Sequence, residues 1–262
     1  MTEKQLFRLF ASSSIHYLRW SLLCAYASLS LCLSLCSFVP GSWFPHSQRW
    51  TITSVNCFSA VIFDCDGVMF DSRQSNINFY NHLLSHFGLP LLRDEQVAYV
   101  HMATADESVR YVFRGTPYLE QALAYRLKVD YTPFIQEMVP EPGLKELLAL
   151  LKPKCGLAVA TNRSNTIGKV LESNGLTGYF DIVVSSLDVE RPKPHPESLF
   201  RILDFFSIRP NQALYVGDSQ VDSETAKAAS VPFVAYKNRN LDAAFHVDQL
   251  LDIASSVVCP RI

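Results

Sequence analysis

The length, composition and charge of the chain exclude several classes of protein. With 262 residues, of which 48% are hydrophobic, the chain has room for one domain with its own core and a smaller inserted module. Its 23 basic and 25 acidic side chains give a formal net charge of −2. Nucleic-acid binding normally requires a basic excess, so we expect a small-molecule partner and no nucleic acid.

The first 54 residues form a hydrophobic N-terminal segment that we interpret separately from the fold. Residues 20–39 carry no charge, and a run of this length can cross a hydrocarbon core of ~30 Å. Three interpretations remain open, namely a membrane anchor through residues 20–39, a cleaved signal peptide, or a start position assigned too early. The basic residues before the run would place the rest of the chain outside the cell if it were an anchor.

The seven cysteines indicate reduced thiols. Their number is odd and no two of them form a CxxC pair, so neither a disulfide framework nor a zinc site is predicted. Cys65 lies between two acidic residues, where oxidation would disturb the neighbouring carboxylates. We therefore expect a cytoplasmic protein, with a membrane-anchored one as the alternative.

Five short apolar runs predict a parallel sheet in residues 55–72 and 140–262. They are residues 60–63, 157–160, 182–184, 213–216 and 233–236. Apolar residues recur at helical spacing in between, in residues 143–151, 165–174, 196–206, 223–229 and 243–254. This alternation is typical of an α/β fold with a doubly wound, Rossmann-like parallel sheet, in which ligands bind at the carboxyl ends of the strands.

The pattern changes between the first and second of these runs. Residues 73–139 contain no convincing strand, and helices are predicted at residues 75–87, 93–101, 106–113 and 118–137. A turn rich in proline and glycine at residues 139–143 returns the chain to the sheet. We therefore predict an all-helical cap domain inserted into the α/β core.

The first polar motif is a pair of acids that follows the first apolar run. Asp64 and Asp66 are two residues apart, so in extended backbone their side chains point to the same side. Gly67 lets the chain turn away sharply. A pair of solvated acids or a calcium loop is the alternative, but the later ligands of a calcium loop are absent from the sequence.

The second motif follows the second run. That strand ends at Thr161, and a helix is expected directly after it. The free amides at the start of a helix can hold phosphate oxygens, to which the Thr161 hydroxyl would add. The simpler alternative is that Asn162 or Ser164 only caps the helix.

The third motif places a lysine between prolines. Pro192 and Pro194 stiffen the backbone around Lys193. A rigidly held ammonium group suits a phosphoryl group. His195 follows in the same loop, and we interpret it as structural rather than as a catalytic base.

The fourth motif again joins an apolar run to acids. Asp218 and Asp222 are four residues apart, so they would share one face if a helix began there. Carboxylate oxygens that converge from neighbouring strand ends are the ligands that Mg²⁺ prefers, whereas zinc would require His or Cys.

In this order the four motifs resemble those of the haloacid dehalogenase-like (HAD) hydrolase superfamily. The resemblance covers residues 58–257 and rests on Asp64-x-Asp66-Gly67-Val68, Thr161-Asn162, Lys193-Pro194 and Gly217-Asp218-x-x-x-Asp222. Each motif alone is weak, but each of the four follows the element that the superfamily would place before it. The segments around Thr161 and Asp218 look like those of phosphoglycolate phosphatases.

The resemblance implies a Mg²⁺-dependent phosphatase that acts on a small phosphorylated metabolite. Asp64 would be the nucleophile that forms an aspartyl-phosphate, and Asp66 the general acid and base. Asp64, Asp218 and the backbone carbonyl of Asp66 would ligate Mg²⁺, and Asp222 would complete the metal site by positioning a water. The residues that would bind the phosphoryl oxygens are Thr161, Asn162 and Lys193.

Three alternatives to this function remain open. A sugar-phosphate mutase resembling β-phosphoglucomutase would have His at Asn76 and Arg at Ala105, which weakens that reading. An inorganic pyrophosphatase would use the same motifs. A membrane-tethered binding module without activity would have lost a motif residue, and each is present. The cap residues that could meet a substrate carboxylate, or equally be surface charges, are His101, Arg110, Arg114 and Lys128.

Overall fold

The computed structural model of the protein describes residues 58–257, in which strands and helices alternate. The strands are β1 Ala60–Phe63, β2 Phe70–Asp71, β3 Val139–Pro140, β4 Gly156–Ala160, β5 Ile182–Val184, β6 Ala213–Gly217, β7 Phe233–Tyr236 and β8 Phe245–Val247. The helices are α1 Arg73–His86, α2 Asp94–Met102, α3 Ala105–Val112, α4 Leu119–Arg126, α5 Thr132–Gln136, α6 Leu144–Leu151, α7 Ile167–Ser173, α8 Glu197–Phe206, α9 Gln220–Ala229 and α10 Asp252–Val257.

Six strands form one sheet in the order β5-β4-β1-β6-β7-β8, and every pair in it is parallel. β1 lies in the centre, and all of its side chains are buried. Such strands are apolar throughout because helices cover both faces of the sheet. β4 and β6 lie on opposite sides of β1, so the strand order reverses direction at β1. In sheets of this kind, ligands bind in the crevice at the carboxyl ends of the strands where the order reverses. The predicted doubly wound α/β fold is confirmed.

The C-terminal part of the core differs from its prediction. Residues 243–254 were predicted as a helix, but β8 occupies Phe245–Val247 and pairs with β7, and α10 begins only at Asp252. A short apolar run fits a helix and a strand equally well. Pairing with the exposed edge of β7 decides between them, and this pairing cannot be inferred from local periodicity.

Helices α1 to α5 lie between β2 and β3 and account for the helical insertion. The predicted single helix over residues 118–137 is two helices, because α4 ends at Arg126 and α5 begins at Thr132. Asp130 Oδ1 accepts hydrogen bonds from the backbone N–H of Thr132 at 3.0 Å and from its hydroxyl at 2.7 Å. Pro133 lies in the first turn of α5, where its missing N–H is harmless. These local bonds begin α5 separately from α4.

The two connections between the sheet and the helical insertion lie side by side. β2 and β3 form an antiparallel pair in which Phe70 faces Pro140 and Asp71 faces Val139, so part of the predicted turn at residues 139–143 is extended. Glu141 fixes the second connection to β7, since it accepts hydrogen bonds from the Tyr236 hydroxyl at 2.8 Å and from Lys237 Nζ at 2.7 Å. The division at residues 73 and 139 stays a prediction.

Residues 58–257 contain no helix that is long and apolar enough to cross a membrane. The predicted N-terminal segment of residues 1–54, with its uncharged run at residues 20–39, lies outside the described residues. Both cysteines in the described part, Cys65 and Cys155, are free thiols.

Candidate active site

The four motifs meet at the carboxyl edge of the sheet. Asp64 follows β1, Thr161 follows β4 and Asp218 follows β6, while Lys193 lies in the loop before α8. All four side chains line one cavity of about 170 Å³, together with Asp66. The structure therefore brings together residues that are up to 154 positions apart, counted from Asp64 to Asp218 (218 − 64).

Lys193 forms the centre of this site. Its Nζ lies 2.9 Å from Asp64 Oδ1 and 2.7 Å from Asp222 Oδ1, and it donates a hydrogen bond to the Tyr215 hydroxyl at 3.0 Å. Burial by itself would lower the pKa of this amine, but the charges of Asp222 and Asp64 outweigh burial and raise the pKa above its usual value. Lys193 is therefore a buried, charged ammonium group held between two carboxylates.

Asp222 is completely buried and holds Lys193 in place through an ion pair. Its Oδ1 accepts a hydrogen bond from the Tyr215 hydroxyl at 2.6 Å as well as from Lys193, and its Oδ2 accepts one from the Ser219 hydroxyl at 2.5 Å. Burial would raise the pKa of Asp222, but the Lys193 charge and these hydrogen bonds lower it. Sequence reasoning missed Tyr215, because a tyrosine inside an apolar strand is indistinguishable from a core residue.

Contrary to the expectation from their spacing, Asp218 and Asp222 do not share a helix face. Ser219 is the N-cap of α9, and its side chain accepts a hydrogen bond from the Asp222 N–H. Asp218 therefore lies before the helix, at the end of β6, and Asp222 lies in its first turn. The two carboxylates still approach each other because the chain turns sharply between them.

Asp64, Asp218 and Asp222 form a cluster that could hold a metal ion, since each offers an oxygen and these oxygens all lie within 4.8 Å of one another. Burial, followed by repulsion from Asp222 and Asp66, raises the pKa of Asp64 to about 7 against the opposing effect of Lys193. Burial and the charges of Asp222 and Asp64 raise the pKa of Asp218 to about 8. Crowded carboxylates of this kind fit a hard divalent cation, whose charge relieves their repulsion.

Two glycines allow this crowding. Gly67 has a φ of +77°, and a Cβ at this position would lie 2.1 Å from Asp218 Oδ2. A Cβ on Gly217 would lie 2.4 Å from the Cβ of Asp222. Any side chain at either position would therefore displace an aspartate side chain of the site. Gly67 is needed for this close approach of Asp218 as well as for the predicted turn of the chain.

Asp66 is held by an arginine that sequence reasoning did not single out. Arg163 donates two hydrogen bonds to it, from Nε to Oδ2 at 2.8 Å and from Nη2 to Oδ1 at 2.7 Å, and the Ser72 hydroxyl also donates to Oδ1. Burial would raise the pKa of Asp66, but the charge and hydrogen bonds of Arg163 lower it below its usual value. The sequence did offer one signal for Arg163, namely a charged residue close after an apolar strand that ends at the site.

The segment after β4 differs from its prediction. Helix α7 begins only at Ile167, its N-cap Thr166 makes no side-chain capping bond, and neither Asn162 nor Ser164 caps it. Asn162 instead binds the Lys193 backbone twice, since its Oδ1 accepts from the N–H at 3.1 Å and its Nδ2 donates to the carbonyl at 3.1 Å. Asn162 therefore fixes the loop that carries the lysine.

Two other motif residues make local contacts. Thr161 Oγ1 accepts a hydrogen bond from the backbone N–H of Arg163 at 3.1 Å, and Thr161 lines the cavity. His195 Nδ1 accepts a hydrogen bond from the backbone N–H of Glu197 at 3.2 Å, at the start of α8. This contact agrees with the structural interpretation of His195.

The helical insertion supplies the other side of the cavity. Its contributions include Asn76, His101, Ala105, Arg126 and Tyr131. Of the four cap residues considered from sequence, His101 lines the cavity, whereas the other three are exposed and do not line it. Those three are Arg110, which lies on α3, and Arg114 and Lys128, which lie just after the ends of α3 and α4. Arg126 was not singled out, and its Nε is buried with no hydrogen-bond partner within residues 58–257.

Comparisons with known proteins identify the family. The family model described as haloacid dehalogenase-like hydrolase matches residues 61–236, which is more than half of the chain. Phosphoglycolate phosphatase from Photorhabdus laumondii is 30% identical over 186 residues, covering 67% of this chain and 78% of the relative. The enzyme of the same name from Chromobacterium violaceum is 28% identical and covers 71% of this chain and 87% of the relative.

Solved structures agree with this assignment. A HAD-superfamily hydrolase of subfamily IA, variant 1, from Geobacter sulfurreducens is 40% identical with a TM-score of 0.65, covering 78% of this chain and 98% of that one. β-Phosphoglucomutase from Clostridium difficile shares the fold at 18% identity, with a TM-score of 0.66 and coverages of 75% and 93%. The chain belongs to the haloacid dehalogenase-like hydrolase family.

Proposed function

We propose that the protein is a Mg²⁺-dependent phosphatase that hydrolyses a small phosphomonoester through an aspartyl-phosphate on Asp64. The observation that carries this proposal is the position of Asp64, whose carboxylate lines the cavity beside the Lys193 ammonium at 2.9 Å. A carboxylate nucleophile next to a fixed positive charge suits attack on a phosphoryl group.

The reaction would proceed in two steps. A carboxylate oxygen of Asp64 attacks phosphorus, and the bond between phosphorus and the ester oxygen breaks as Asp66 gives that oxygen a proton. Asp66 then takes a proton from the water that attacks the aspartyl-phosphate, which releases phosphate and restores Asp64. Because its pKa is lowered, Asp66 is ready as a base in the resting protein and must take up a proton before it acts as an acid.

The other site residues would bind charge. Lys193 and the Thr161 hydroxyl would contact the oxygens of the transferred phosphoryl group, where positioning and electrostatics provide most of the catalysis. Asn162 would help to bind phosphate chiefly by fixing the backbone of Lys193, to which it makes two hydrogen bonds.

The donor set fits Mg²⁺. Asp64, Asp218 and the backbone carbonyl of Asp66 would hold the ion with oxygen ligands only. Both oxygens of Asp222 already accept hydrogen bonds from protein donors, so its contribution would be to support the site through Lys193 and Ser219. When bound, the ion would neutralise charge on the phosphoryl group.

A phosphorylated carboxylic acid such as phosphoglycolate is the substrate class that we favour. The cavity, at about 170 Å³, is smaller than the ~300–1,000 Å³ of pockets for drug-sized ligands. His101 and Arg126 line its cap side, where the Arg126 guanidinium, which also pairs with Asp106, could meet a carboxylate. The curated relatives named above are phosphoglycolate phosphatases.

The alternatives rest on fewer observations. Asn76 and Ala105, where the mutases have His and Arg, both line the cavity, so a sugar-phosphate mutase would lack two groups at its substrate. We also propose that the protein acts in the cytoplasm and that residues 73–139 form its cap, supported by the free thiol of Cys65 and by the paired connections β2 and β3.

A phosphate-release assay tests this function. The purified protein would be offered phosphoglycolate, sugar phosphates, nucleotides and pyrophosphate, each with Mg²⁺ and with EDTA. We expect release from phosphoglycolate that EDTA abolishes and added Mg²⁺ restores. Preference for pyrophosphate, or conversion of β-glucose 1-phosphate to glucose 6-phosphate, would favour the respective alternative, and binding without turnover of any compound would favour the non-catalytic module.

A further inference from the structure

The guanidinium of Arg163, next to the site, makes hydrogen bonds through all three of its nitrogens. Its side chain is 6% exposed and lines the cavity. Nε and Nη2 bind the two oxygens of Asp66 at 2.8 and 2.7 Å, and Nη1 donates to the Tyr131 hydroxyl at 3.2 Å and lies 3.5 Å from Thr166 Oγ1. Nη2 also lies 3.4 Å from Asn76 Oδ1. Every nitrogen of this arginine therefore already has a protein partner.

The partners of Arg163 come from two sides. Asp66 belongs to the turn after β1, whereas Asn76 lies on α1 and Tyr131 precedes α5, both in the helical insertion. A planar guanidinium that grips a carboxylate by both oxygens fixes its orientation as well as its distance, which a lysine cannot do. The plane of the Asp66 carboxylate is thus set by a group that is itself fixed by the insertion.

This orientation matters for proton transfer. A general acid must lie within hydrogen-bond reach of the oxygen it protonates, and a displacement of ~1 Å at a reacting group can lower a rate ~10²-fold. A free aspartate side chain has two rotatable bonds, so a carboxylate at a cavity wall needs partners that restrict it.

We propose that Arg163 is a positioning residue for the proton-transfer step, acting on the substrate only through Asp66. The proposal rests on the phosphatase function given above. It assigns Arg163 no contact with the phosphoryl group, because its donors are committed to Asp66, Asn76, Tyr131 and Thr166.

Substitution of Arg163 would be tested with two substrates whose leaving groups differ in their need for a proton. Arg163→Met should lower kcat/KM for phosphoglycolate, within the ~10²–10⁴-fold that proton transfer contributes. In kcat/KM, which reports the phosphorylation step and not the later hydrolysis of the aspartyl-phosphate, the loss should be smaller for p-nitrophenyl phosphate, whose leaving group departs without a proton. Arg163→Lys keeps the charge without the fork, so it should recover only part of the loss.

A double-substitution cycle separates action through Asp66 from direct action on the substrate. Two variants are compared on each substrate, the single variant Asp66→Asn and the double variant Asp66→Asn with Arg163→Met. If Arg163 acts only through Asp66, the double variant should have the same kcat as the single variant on each substrate. The double variant leaves no unpaired carboxylate, so this comparison also holds if Arg163→Met alone fails to fold. Arg201→Met, which removes an exposed arginine that pairs with Glu197, is the matched control and should leave both activities unchanged.

Three results would overturn the proposal. They are a further loss in the double variant beyond Asp66→Asn, an equal loss of kcat/KM on both substrates in Arg163→Met, or a raised KM with unchanged kcat, which would indicate a direct substrate contact. Absence of phosphate release by the unsubstituted protein would instead overturn the proposed function, and the role of Arg163 with it, so the two failures are distinguishable.

Discussion

At the scale of single residues, the site is a balance of buried charges. Lys193 faces Asp64 and Asp222, and Asp218 adds a third carboxylate to the same cluster. One ammonium cannot neutralise three carboxylates, and burial together with the remaining repulsion raises the pKa values of Asp64 and Asp218. A buried ion pair contributes little net stability, but removal of one partner leaves an uncompensated charge.

Removal of the Lys193 charge should therefore destabilise the protein more than removal of a neighbouring hydrogen bond. We expect Lys193→Met to lower the free energy of unfolding by about 3 kcal/mol or more. Tyr215→Phe, which removes one hydrogen bond to Asp222, should lower it by about 1.5–3 kcal/mol. Urea denaturation at pH 7.5 in EDTA measures both, and a smaller effect of Lys193→Met would contradict the central place of this lysine.

The stabilising effect of Mg²⁺ should depend on pH. Asp64 and Asp218 have folded-state pKa values of about 7 and about 8, above the ~3.9 of an unfolded aspartate. Above pH 4 the unfolded chain releases protons that the folded protein keeps, so without metal these groups lower stability progressively up to about pH 8. Mg²⁺ should remove this penalty.

Thermal unfolding measures this effect. The rise in Tm caused by Mg²⁺ should be larger at pH 8 than at pH 6, and Asp218→Asn should reduce it at both. An equal rise at the two pH values would show that these carboxylates do not bind the ion.

At the scale of elements, Asp64, Thr161 and Asp218 each lie directly after the end of a strand of the sheet. The strands that carry them were predictable, because β1, β4 and β6 are apolar runs that end at a polar residue. The partners across the site were not. Arg163 and Asp66 are 97 positions apart, and only the sheet order β4-β1 brings the two loops together. The edge strand β8 was missed for a related reason, since its pairing partner determines it.

The turn after β1 offers a test with an internal control. Gly67 and Gly115 both have a φ of +77°, but a Cβ on Gly115 would meet nothing within 4 Å, whereas one on Gly67 would overlap Asp218. Both alanine substitutions should therefore lose about 1–2 kcal/mol of stability through the left-handed backbone. Only Gly67→Ala should also lose Mg²⁺-dependent phosphate release, and retention of that activity would show that the close approach is dispensable.

At the scale of the whole molecule, the sheet supplies the reactive groups and the helical insertion closes the cavity over them. The order of the motifs was enough to predict the core, the acids and Lys193. The cap-side lining was not predictable, because amphipathic helices of this kind carry charges on several faces. Which charges face the cavity depends on how the helices pack, so Arg126 was overlooked while Arg110 and Arg114 were considered.

The site residues named above are all among residues 58–257. A chain that starts at Val55 should therefore fold and release phosphate as fast as the full-length chain. Circular dichroism and the phosphatase assay would compare the two proteins. Loss of folding in the shorter chain, or Met1 found on the protein isolated from its source, would refute a misassigned start.

The different roles of Asp64 and Asp66 give the most direct test of the covalent mechanism. Asp64→Asn removes the attacking oxygen and a metal ligand together, so no phosphoenzyme should form. Asp66→Asn keeps the nucleophile and loses proton transfer, typically worth ~10²–10⁴-fold. An activated ester should still phosphorylate Asp64 in this variant, but hydrolysis of the aspartyl-phosphate would lack its base.

Intact-protein mass spectrometry after a brief reaction with p-nitrophenyl phosphate and Mg²⁺ measures this difference. We expect Asp66→Asn to gain the mass of one phosphoryl group, located on Asp64 by peptide mapping, and Asp64→Asn to gain none. Turnover by Asp64→Asn, or a phosphoryl group on any other residue, would contradict an aspartyl-phosphate on Asp64.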